Sequence, residues 1–70
     1  MNQKLLLGTS NQGKIKEFKN ILQNIPYILT TLEEESCNIE VIENGKTFLE
    51  NAILKATQYA NATNLPCLSD

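Results

Sequence analysis

The short polar turn at residues 8–14, Gly-Thr-Ser-Asn-Gln-Gly-Lys, carries the most evident chemistry in this 70-residue sequence. It follows an apolar run and precedes a segment with helical periodicity, so we expect it to lie where a strand passes into a helix. The first N–H groups of a helix lack intrahelical partners, and the aligned peptide dipoles place partial positive charge there. Bound phosphate would accept hydrogen bonds from these N–H groups and interact favourably with the partial positive charge. This turn is therefore a candidate phosphate site.

The spacing of Gly8, Gly13 and Lys14 also fits the G-x-x-x-x-G-K pattern of a phosphate-binding P-loop. This alternative predicts a Ser or Thr hydroxyl next in the sequence as a Mg²⁺ ligand, but the next residue is Ile15. Lys14 itself would lie in the first turn of a helix, where a cation is disfavoured by roughly 0.3 to 1 kcal/mol against the helix dipole. It is either an exposed, screened lysine or a contact to bound phosphate, and the spacing leaves both open.

Two further charged features lie outside this turn. Lys55 borders the apolar face of the second predicted helix, where its ammonium group either extends to water or reaches an anion in a cleft. The acidic run Glu33-Glu34-Glu35 favours a solvated surface loop over a metal cluster, because consecutive carboxylates cannot all converge on one ion.

The residues around the turn predict a β-α-β unit with parallel strands. A strand is expected over residues 4–8, and Asn11 is a suitable N-cap for the helix that follows. Pro26 stops this helix, and residues 27–32 are rich in β-forming side chains. Apolar residues at three- and four-residue steps form the buried stripe of the helix: Ile15, Phe18, Leu22 and Ile25.

The second half of the sequence predicts a further helix and strand. Residues 38–42 are expected to form a short extended segment, and Thr47 begins the helix with Glu50 three residues later, which is the capping-box pattern. Asn64 suits the left-handed position at the C-terminus of this helix, and a strand begins at Leu65. The fold class is therefore α/β, with one domain over residues 1–70. The stripe of the second helix expected to face the core comprises Leu49, Ala52, Ile53, Ala56 and Ala60.

Composition argues against several classes of protein. With two cysteines and no histidine, the chain offers neither a disulfide framework nor a Cys/His zinc site, so Cys37 and Cys67 are expected to be reduced thiols. The net charge is −2, and basic residues cluster only at Lys14, Lys16 and Lys19, which argues against nucleic-acid and membrane-surface binding. The apolar run near the N-terminus is too short for a signal peptide or a membrane span, so a cytoplasmic protein is expected. Because the sequence stops inside a predicted strand, we interpret it as the N-terminal piece of a longer α/β protein.

Three stretches together resemble the inosine/xanthosine triphosphate pyrophosphatase family, whose members hydrolyse non-standard purine nucleoside triphosphates. Residues 9–14, Thr-Ser-Asn-Gln-Gly-Lys, are similar to its Thr/Ser-x-Asn-x-x-Lys substrate loop. Residues 43–56 are similar to its longer motif Glu-x-Gly-x-Thr-Phe-x-Glu-Asn-Ala-x-x-Lys-Ala. Residues 65–70, Leu-Pro-Cys-Leu-Ser-Asp, resemble the strand that leads into the family's acidic pair. The resemblance implies the N-terminal part of a mixed-sheet α/β pyrophosphatase domain.

The activity that the resemblance implies is Mg²⁺-dependent cleavage of ITP, dITP or XTP between the α- and β-phosphates, which gives the monophosphate and pyrophosphate. It also implies a homodimer for the full-length protein. The 70 residues alone are expected to be inactive, because Asp70 matches the first acid of the catalytic pair and the usual proton acceptor would be residue 71. A truncated, non-catalytic remnant with weak phosphate binding is the alternative.

The resemblance assigns site residues to two groups. Glu43 and Asp70 would bind Mg²⁺, while Ile42 stands three residues before Gly45, where many members have a metal-binding glutamate. The loop and two lysines would hold the phosphates, which assigns substrate binding to Thr9, Ser10, Asn11, Gln12, Gly13, Lys14 and Lys55.

Overall fold

A computed structural model of the chain describes residues 3–69 and has the α/β architecture that the sequence predicts. Its five elements follow one another as strand, helix, strand, helix, strand. They are β1 (Gln3–Leu7), α1 (Gln12–Ile21), β2 (Tyr27–Thr31), α2 (Phe48–Thr63) and β3 (Cys67–Leu68). None of the helices in this part of the chain is long and apolar enough to cross a membrane.

The three strands form one parallel sheet in the order β2-β1-β3. The pairing of β1 with β2 runs from Gln3 opposite Tyr27 to Leu7 opposite Thr31, which confirms the predicted parallel pair. On the other side of β1, Leu6 lies opposite Cys67. Because the strands are parallel, their carboxyl ends meet at one edge of the sheet, where ligands bind in open α/β folds.

Alternate side chains of β1 face opposite sides of the sheet. A Cβ atom on Gly8 would lie 3.1 Å from Cδ2 of Tyr59, so α2 covers the face that Leu6 and Gly8 share. On the other face, Ile15 of α1 lines the same cleft as Thr31. The last two residues of β1, Leu6 and Leu7, are completely buried, as expected for a strand that is covered on both sides.

Helix α1 begins as predicted and ends earlier than predicted. Asn11 is its N-cap, whereas the last helical residue is Ile21 and the cap N–H of Leu22 donates to the Phe18 carbonyl oxygen at 2.9 Å. The predicted stripe continued to Ile25 and is wrong in its last turn. The residue before a proline is disfavoured in helical conformation, so the chain leaves the helix before Pro26 to enter β2.

Helix α2 has the predicted caps. The Thr47 hydroxyl accepts the N–H of Glu50 at 3.0 Å, and the Glu50 carboxylate accepts the N–H of Lys46. Asn64 has φ 57° in the left-handed region, as predicted for the C-terminus. The prediction of a buried stripe is wrong: no α2 residue is buried among the described residues, and Leu49 and Ile53 are 71% and 56% exposed. The described sheet has only three strands, and β3 is two residues long, so it offers this stripe little cover.

The connection between β2 and α2 differs from the prediction in two places. Residues 38–42 form no strand in the described part of the chain. Glu33 and Glu34 are exposed as expected, but Glu35 is bound to the sheet. It accepts hydrogen bonds from Thr30 Oγ1 at 2.6 Å and from Lys4 Nζ at 3.1 Å. These bonds hold the pKa of the Glu35 carboxyl below its ordinary value, the Thr30 bond having the larger effect.

Candidate phosphate-binding and metal-binding site

The loop of residues 9–14, the 9–14 loop, connects the carboxyl end of β1 to the N-terminus of α1. Thr9 is buried, and its Oγ1 accepts the N–H of Asn11 at 3.2 Å. Asn11 Oδ1 in turn accepts the N–H of Lys14 at 3.2 Å. Both bonds use acceptor atoms, so they leave the hydroxyl hydrogen of Thr9 and the amide hydrogens of Asn11 for an anion. The first turn of α1 contains no acidic residue that would repel one.

Gly8 precedes this loop at a point of very close packing. A Cβ atom there would lie 2.5 Å from Ser69 Oγ and 2.7 Å from Cys67 Sγ. Ser69 Oγ also donates to the Gly8 carbonyl oxygen at 3.3 Å. The φ angle of Gly8 is outside the left-handed region, so it is the approach of β3 and α2 that requires glycine here. The sequence offered Gly8 only as the first glycine of a P-loop pattern.

The P-loop alternative loses its metal ligand in the structure. Ile15 occupies the position of the required hydroxyl and is only 8% exposed, because it packs into the core beneath α1. The predicted inward orientation of Ile15 is therefore confirmed.

A second charged group lies on the other helix. Glu43 Oε1 and Lys55 Nζ are 3.9 Å apart, and their side chains are partly exposed. Lys55 lies one helical turn before Tyr59, on the same side of α2. Since α2 runs from the carboxyl ends of the strands back to the amino end of β3, this turn places Lys55 beyond Gly8 at the carboxyl edge. The sequence assigned Glu43 and Lys55 to metal and substrate and did not pair them.

The segment of residues 42–47, the 42–47 segment, is fastened to α2 by side chains. Gln58 Oε1 accepts the N–H of Ile42 at 2.9 Å, and Gln58 Nε2 donates to the Ile42 carbonyl oxygen at 2.8 Å. Asn51 Oδ1 accepts the N–H of Gly45 at 2.8 Å. These bonds hold Glu43 beside α2. The sequence analysis did not assign a role to the side-chain amides of Gln58 and Asn51. Asn51 lies inside the motif of residues 43–56, and asparagine side chains commonly bond to nearby backbone groups.

A cleft of about 460 Å³ opens between α1 and the turn after β2. Three of the predicted substrate-binding residues line it, namely Thr9, Ser10 and Gln12, whereas Lys14, Lys55 and Glu43 lie outside its lining. The cleft also has charged walls, contributed by Lys19, Glu33 and Glu34. The structure therefore divides the predicted substrate-binding and metal-binding residues between the α1 side and the α2 side of the sheet edge. Asp70, the remaining predicted residue, lies outside the described residues.

The ring of Tyr59 packs beside Gly8, with Cδ2 3.1 Å from where a Cβ atom of Gly8 would lie. Burial raises the pKa of Tyr59, and the acidic groups of Cys37, Cys67 and Glu43 raise it further. Burial also raises the pKa of the Cys67 thiol. Tyr59 and Cys67 are consequently neutral at physiological pH, which fits their packing against Gly8.

Glu43 fits one position in a Mg²⁺ site. Mg²⁺ prefers oxygen ligands and is usually bound by one or two carboxylates together with substrate phosphates. The Glu43 side chain is 45% exposed beside Lys55, so it remains accessible to such an ion. The apolar side chain of Ile42 cannot serve as a ligand. Within residues 3–69, no group of three or more His, Cys, Asp or Glu side chains could hold a metal ion.

Comparison with known proteins decides the family. The family model described as Ham1 matches residues 5–70. The chain belongs to the Ham1 family. The family resemblance noted in the sequence is thereby confirmed.

Proteins with similar sequences include three bacterial proteins named dITP/XTP pyrophosphatase. The protein from Geobacter sulfurreducens is 46% identical over 67 residues, which are 96% of this chain and 34% of the relative. A protein from Thermus thermophilus is 45% identical over 67 residues, 96% of this chain and 32% of its own length. The Bacillus subtilis protein is 43% identical over 65 residues, which are 93% of this chain and 33% of the relative. The chain thus spans about a third of the length of these relatives.

The fold is also similar to a solved Ham1 structure. The Ham1 protein of Staphylococcus aureus has a TM-score of 0.73 and 39% sequence identity, over 89% of this chain and 31% of that chain. The sheet and helices described above therefore correspond to one part of a larger Ham1 fold.

Proposed function

We propose that this chain carries the phosphate-binding part of an enzyme that hydrolyses non-standard purine nucleoside triphosphates. Its substrates would be ITP, dITP and XTP, and its products the monophosphate and pyrophosphate. The observation that carries the proposal is the 9–14 loop at the carboxyl edge of β1, in a member of a family whose similar proteins are named dITP/XTP pyrophosphatases.

The 9–14 loop would bind the triphosphate through donors that its own hydrogen bonds leave available. These are the Thr9 hydroxyl and the side-chain amide of Asn11. The N–H of Ser10 in the loop and those of Gln12 and Gly13, the first residues of α1, would add to them, because the first N–H groups of a helix lack intrahelical partners. The positive end of the helix dipole adds to their effect. Donors that are already in position when the substrate arrives stabilise developing charge without having to reorganise.

Two lysines would offset the charge of the triphosphate. Lys14 lies in the first turn of α1, where bound phosphate turns an unfavourable position into a favourable one. Lys55 reaches the same sheet edge from α2 and is paired with Glu43 at 3.9 Å. A charge-assisted contact from Lys55 to bound phosphate would be stronger than an ion pair of 3.9 Å between partly exposed side chains.

The proposed cofactor is Mg²⁺, with Glu43 as one ligand and Asp70 as another. Bound Mg²⁺ would polarise the phosphate oxygens as a Lewis acid. The contribution of this chain is to hold the Glu43 carboxylate at the sheet edge through the bonds of Gln58 and Asn51. By resemblance to the family, the proton acceptor would be the residue after Asp70. We further propose that the full-length protein is a cytoplasmic homodimer that binds neither nucleic acid nor membranes.

The test uses a joined protein, in which the part of the Geobacter sulfurreducens relative that follows the matched segment continues from Asp70. We expect it to release pyrophosphate from ITP and XTP with Mg²⁺, and much more slowly from ATP and GTP. The 70-residue chain alone is expected to show no hydrolysis. Product analysis by phosphate detection with and without added inorganic pyrophosphatase separates the outcomes. Orthophosphate as the first product would contradict the proposal.

A further inference from the structure

The carboxyl end of β3 is bonded to both backbone groups of Gly8. The Gly8 N–H donates to the Leu68 carbonyl oxygen at 2.8 Å, and the Gly8 carbonyl oxygen accepts the hydroxyl of Ser69 at 3.3 Å. The first is an ordinary bond of the parallel ladder. The second is made by a side chain, beyond the last paired residues of the two strands, Leu7 and Leu68. The chain is therefore held at the residue just before the 9–14 loop begins.

The hydroxyl of Ser69 is held from two sides. A Cβ atom on Gly8 would lie 2.5 Å from its oxygen, a distance that excludes any side chain at position 8. Cys67 Sγ lies 3.9 Å from the same oxygen. Because burial raises the pKa of the Cys67 thiol, the thiol stays protonated. It can donate to Ser69 Oγ, whose own hydrogen is directed at the Gly8 carbonyl oxygen.

Ser69 also adjoins the two groups of residues that the proposed function brings together. Thr9 follows Gly8 and opens the 9–14 loop, whereas Asp70 follows Ser69 in the sequence and is a proposed Mg²⁺ ligand. Mg²⁺ is usually bound by one or two carboxylates together with substrate phosphates, so the loop and the carboxylate have to keep a fixed separation. The bond between Ser69 and Gly8 joins the residues immediately before each of them.

We infer that Ser69 is a positioning residue, whose hydroxyl fixes the 9–14 loop and Asp70 relative to each other so that phosphate and Mg²⁺ bind together. This inference rests on the proposed function and deepens it, because it links two parts of the site through residues that are 61 positions apart. Removing the hydroxyl leaves the phosphate donors of the loop in place. It should therefore weaken only the binding that needs the loop and the metal together, which a merely structural role would not do.

The test measures the binding of inorganic pyrophosphate to the joined protein by titration calorimetry, first with a chelator and then with saturating Mg²⁺. In the wild-type protein we expect Mg²⁺ to raise the affinity at least about 20-fold, which is within the range for coupled sites. Ser69→Ala should reduce this factor about tenfold, a usual loss when a residue behind a metal ligand is removed. The metal-free affinity should stay close to the wild-type value, because the donors of the loop are unchanged.

Thr63→Ala is the matched control. Thr63 Oγ1 donates to the Tyr59 carbonyl oxygen at 2.8 Å, so this variant also loses one partly buried bond from a hydroxyl to a carbonyl. Thr63 is the last residue of α2 and belongs to neither proposed binding group. Its substitution should lower the urea midpoint by an amount similar to that of Ser69→Ala and leave the effect of Mg²⁺ unchanged. Ser69→Thr keeps the hydroxyl and should also keep the effect of Mg²⁺.

Four results would overturn the inference. They are the absence of a Mg²⁺ effect in the wild-type protein, an unchanged effect in Ser69→Ala, an equal loss in Thr63→Ala, and a loss in Ser69→Thr as large as in Ser69→Ala. Hydrogen exchange of the Gly8 amide, which bonds to Leu68, should stay slow in Ser69→Ala and so show that β3 remains paired. Hydrolysis of ITP is measured separately. Joint binding of Mg²⁺ and pyrophosphate without ITP hydrolysis would contradict the proposed function and leave the inference standing.

Discussion

The 9–14 loop and the 42–47 segment both approach the carboxyl edge of the sheet, but they are held there in different ways. In the loop, Thr9 and Asn11 bond to backbone N–H groups two and three residues further along the chain. In the 42–47 segment, Ile42 depends on Gln58, which is 16 residues away on α2. The first site forms with its own helix, whereas the second forms only when α2 lies in place. Substitutions in α2 should therefore disturb Glu43 while leaving the loop intact.

The largest expected effect concerns the loop. Lys14→Ala in the joined protein should lower kcat/KM for ITP about 100-fold, because removing one preorganised charge contact to the reacting phosphates typically costs a factor of this size. The measurement is pyrophosphate release at several ITP concentrations. Lys16→Ala, two residues along the same helix, is the matched control and should stay within about twofold. Equal losses in both variants would reduce the role of Lys14 to general surface charge.

A smaller effect is expected at Gly8, where the end of β1 packs closely against the β3 region and α2. Gly8→Ala places a methyl group 2.5 Å from Ser69 Oγ and 2.7 Å from Cys67 Sγ, so β3 or α2 has to shift. The free energy of unfolding of the joined protein should fall by about 1 to 3 kcal/mol, the usual cost of overpacking. Urea denaturation measures it.

Gly13→Ala is the control for this substitution. Its new methyl group meets only the Asn11 side chain, at 3.2 Å, and α1 gains helix propensity. Its stability should therefore not fall. If Gly13→Ala proved as harmful as Gly8→Ala, the close approach of β3 and α2 would not be the reason for glycine at position 8.

The same contrast explains what the sequence predicted and what it did not. The caps at Asn11, Thr47 and Asn64 were predicted because each depends on residues within four positions, and so was the parallel pair of β1 and β2. The hydrogen bonds of Gln58 to Ile42 and the packing of Tyr59 on Gly8 depend on where α2 packs against the sheet. No short-range sequence pattern encodes the position of α2. The predicted stripe of α2 had the correct helical period but no cover in the described sheet.

Removing the two hydrogen bonds between Gln58 and Ile42 tests whether the 42–47 segment depends on α2 while the 9–14 loop does not. Gln58→Ala removes both bonds to Ile42, and each hydrogen bond contributes roughly 0.5 to 1.5 kcal/mol. Hydrogen exchange of the Ile42 amide in the joined protein should accelerate about tenfold, and half-saturation of activity should require more Mg²⁺. Exchange of the Lys14 amide, bonded to Asn11, should not change.

The conservative variant Gln58→Glu refines this test. It keeps an oxygen that accepts the Ile42 N–H but loses the donor to the Ile42 carbonyl oxygen, so exchange should lie between the values for wild type and Gln58→Ala. Gln23→Ala, an exposed glutamine outside both regions, is the control. Faster exchange at Lys14 in the Gln58 variants would mean that the two regions are not independent.

The smallest expected effect comes from Glu35, which bonds both to a residue nearby in the sequence and to a distant one. Its carboxylate bonds to Thr30, five residues away, and to Lys4, which is 31 residues away. Because these bonds lower the pKa of Glu35 in the folded protein, the unfolded chain binds its proton more readily. The contribution of Glu35 to stability is therefore fully present at neutral pH, and it is lost as the pH falls below the ordinary pKa of a glutamate and through the lowered pKa of the folded protein.

Glu35→Gln should make stability less dependent on pH over that range, whereas Glu33→Gln, in the same turn and exposed, should leave the dependence unchanged. Urea midpoints of the joined protein at a series of pH values measure it. Thr30→Val and Lys4→Met then separate the two supports. Since the Thr30 bond has the larger effect on the pKa, Thr30→Val should flatten the dependence more than Lys4→Met does. The reverse order would mean that the distant partner dominates at this turn, as it does in the 42–47 segment.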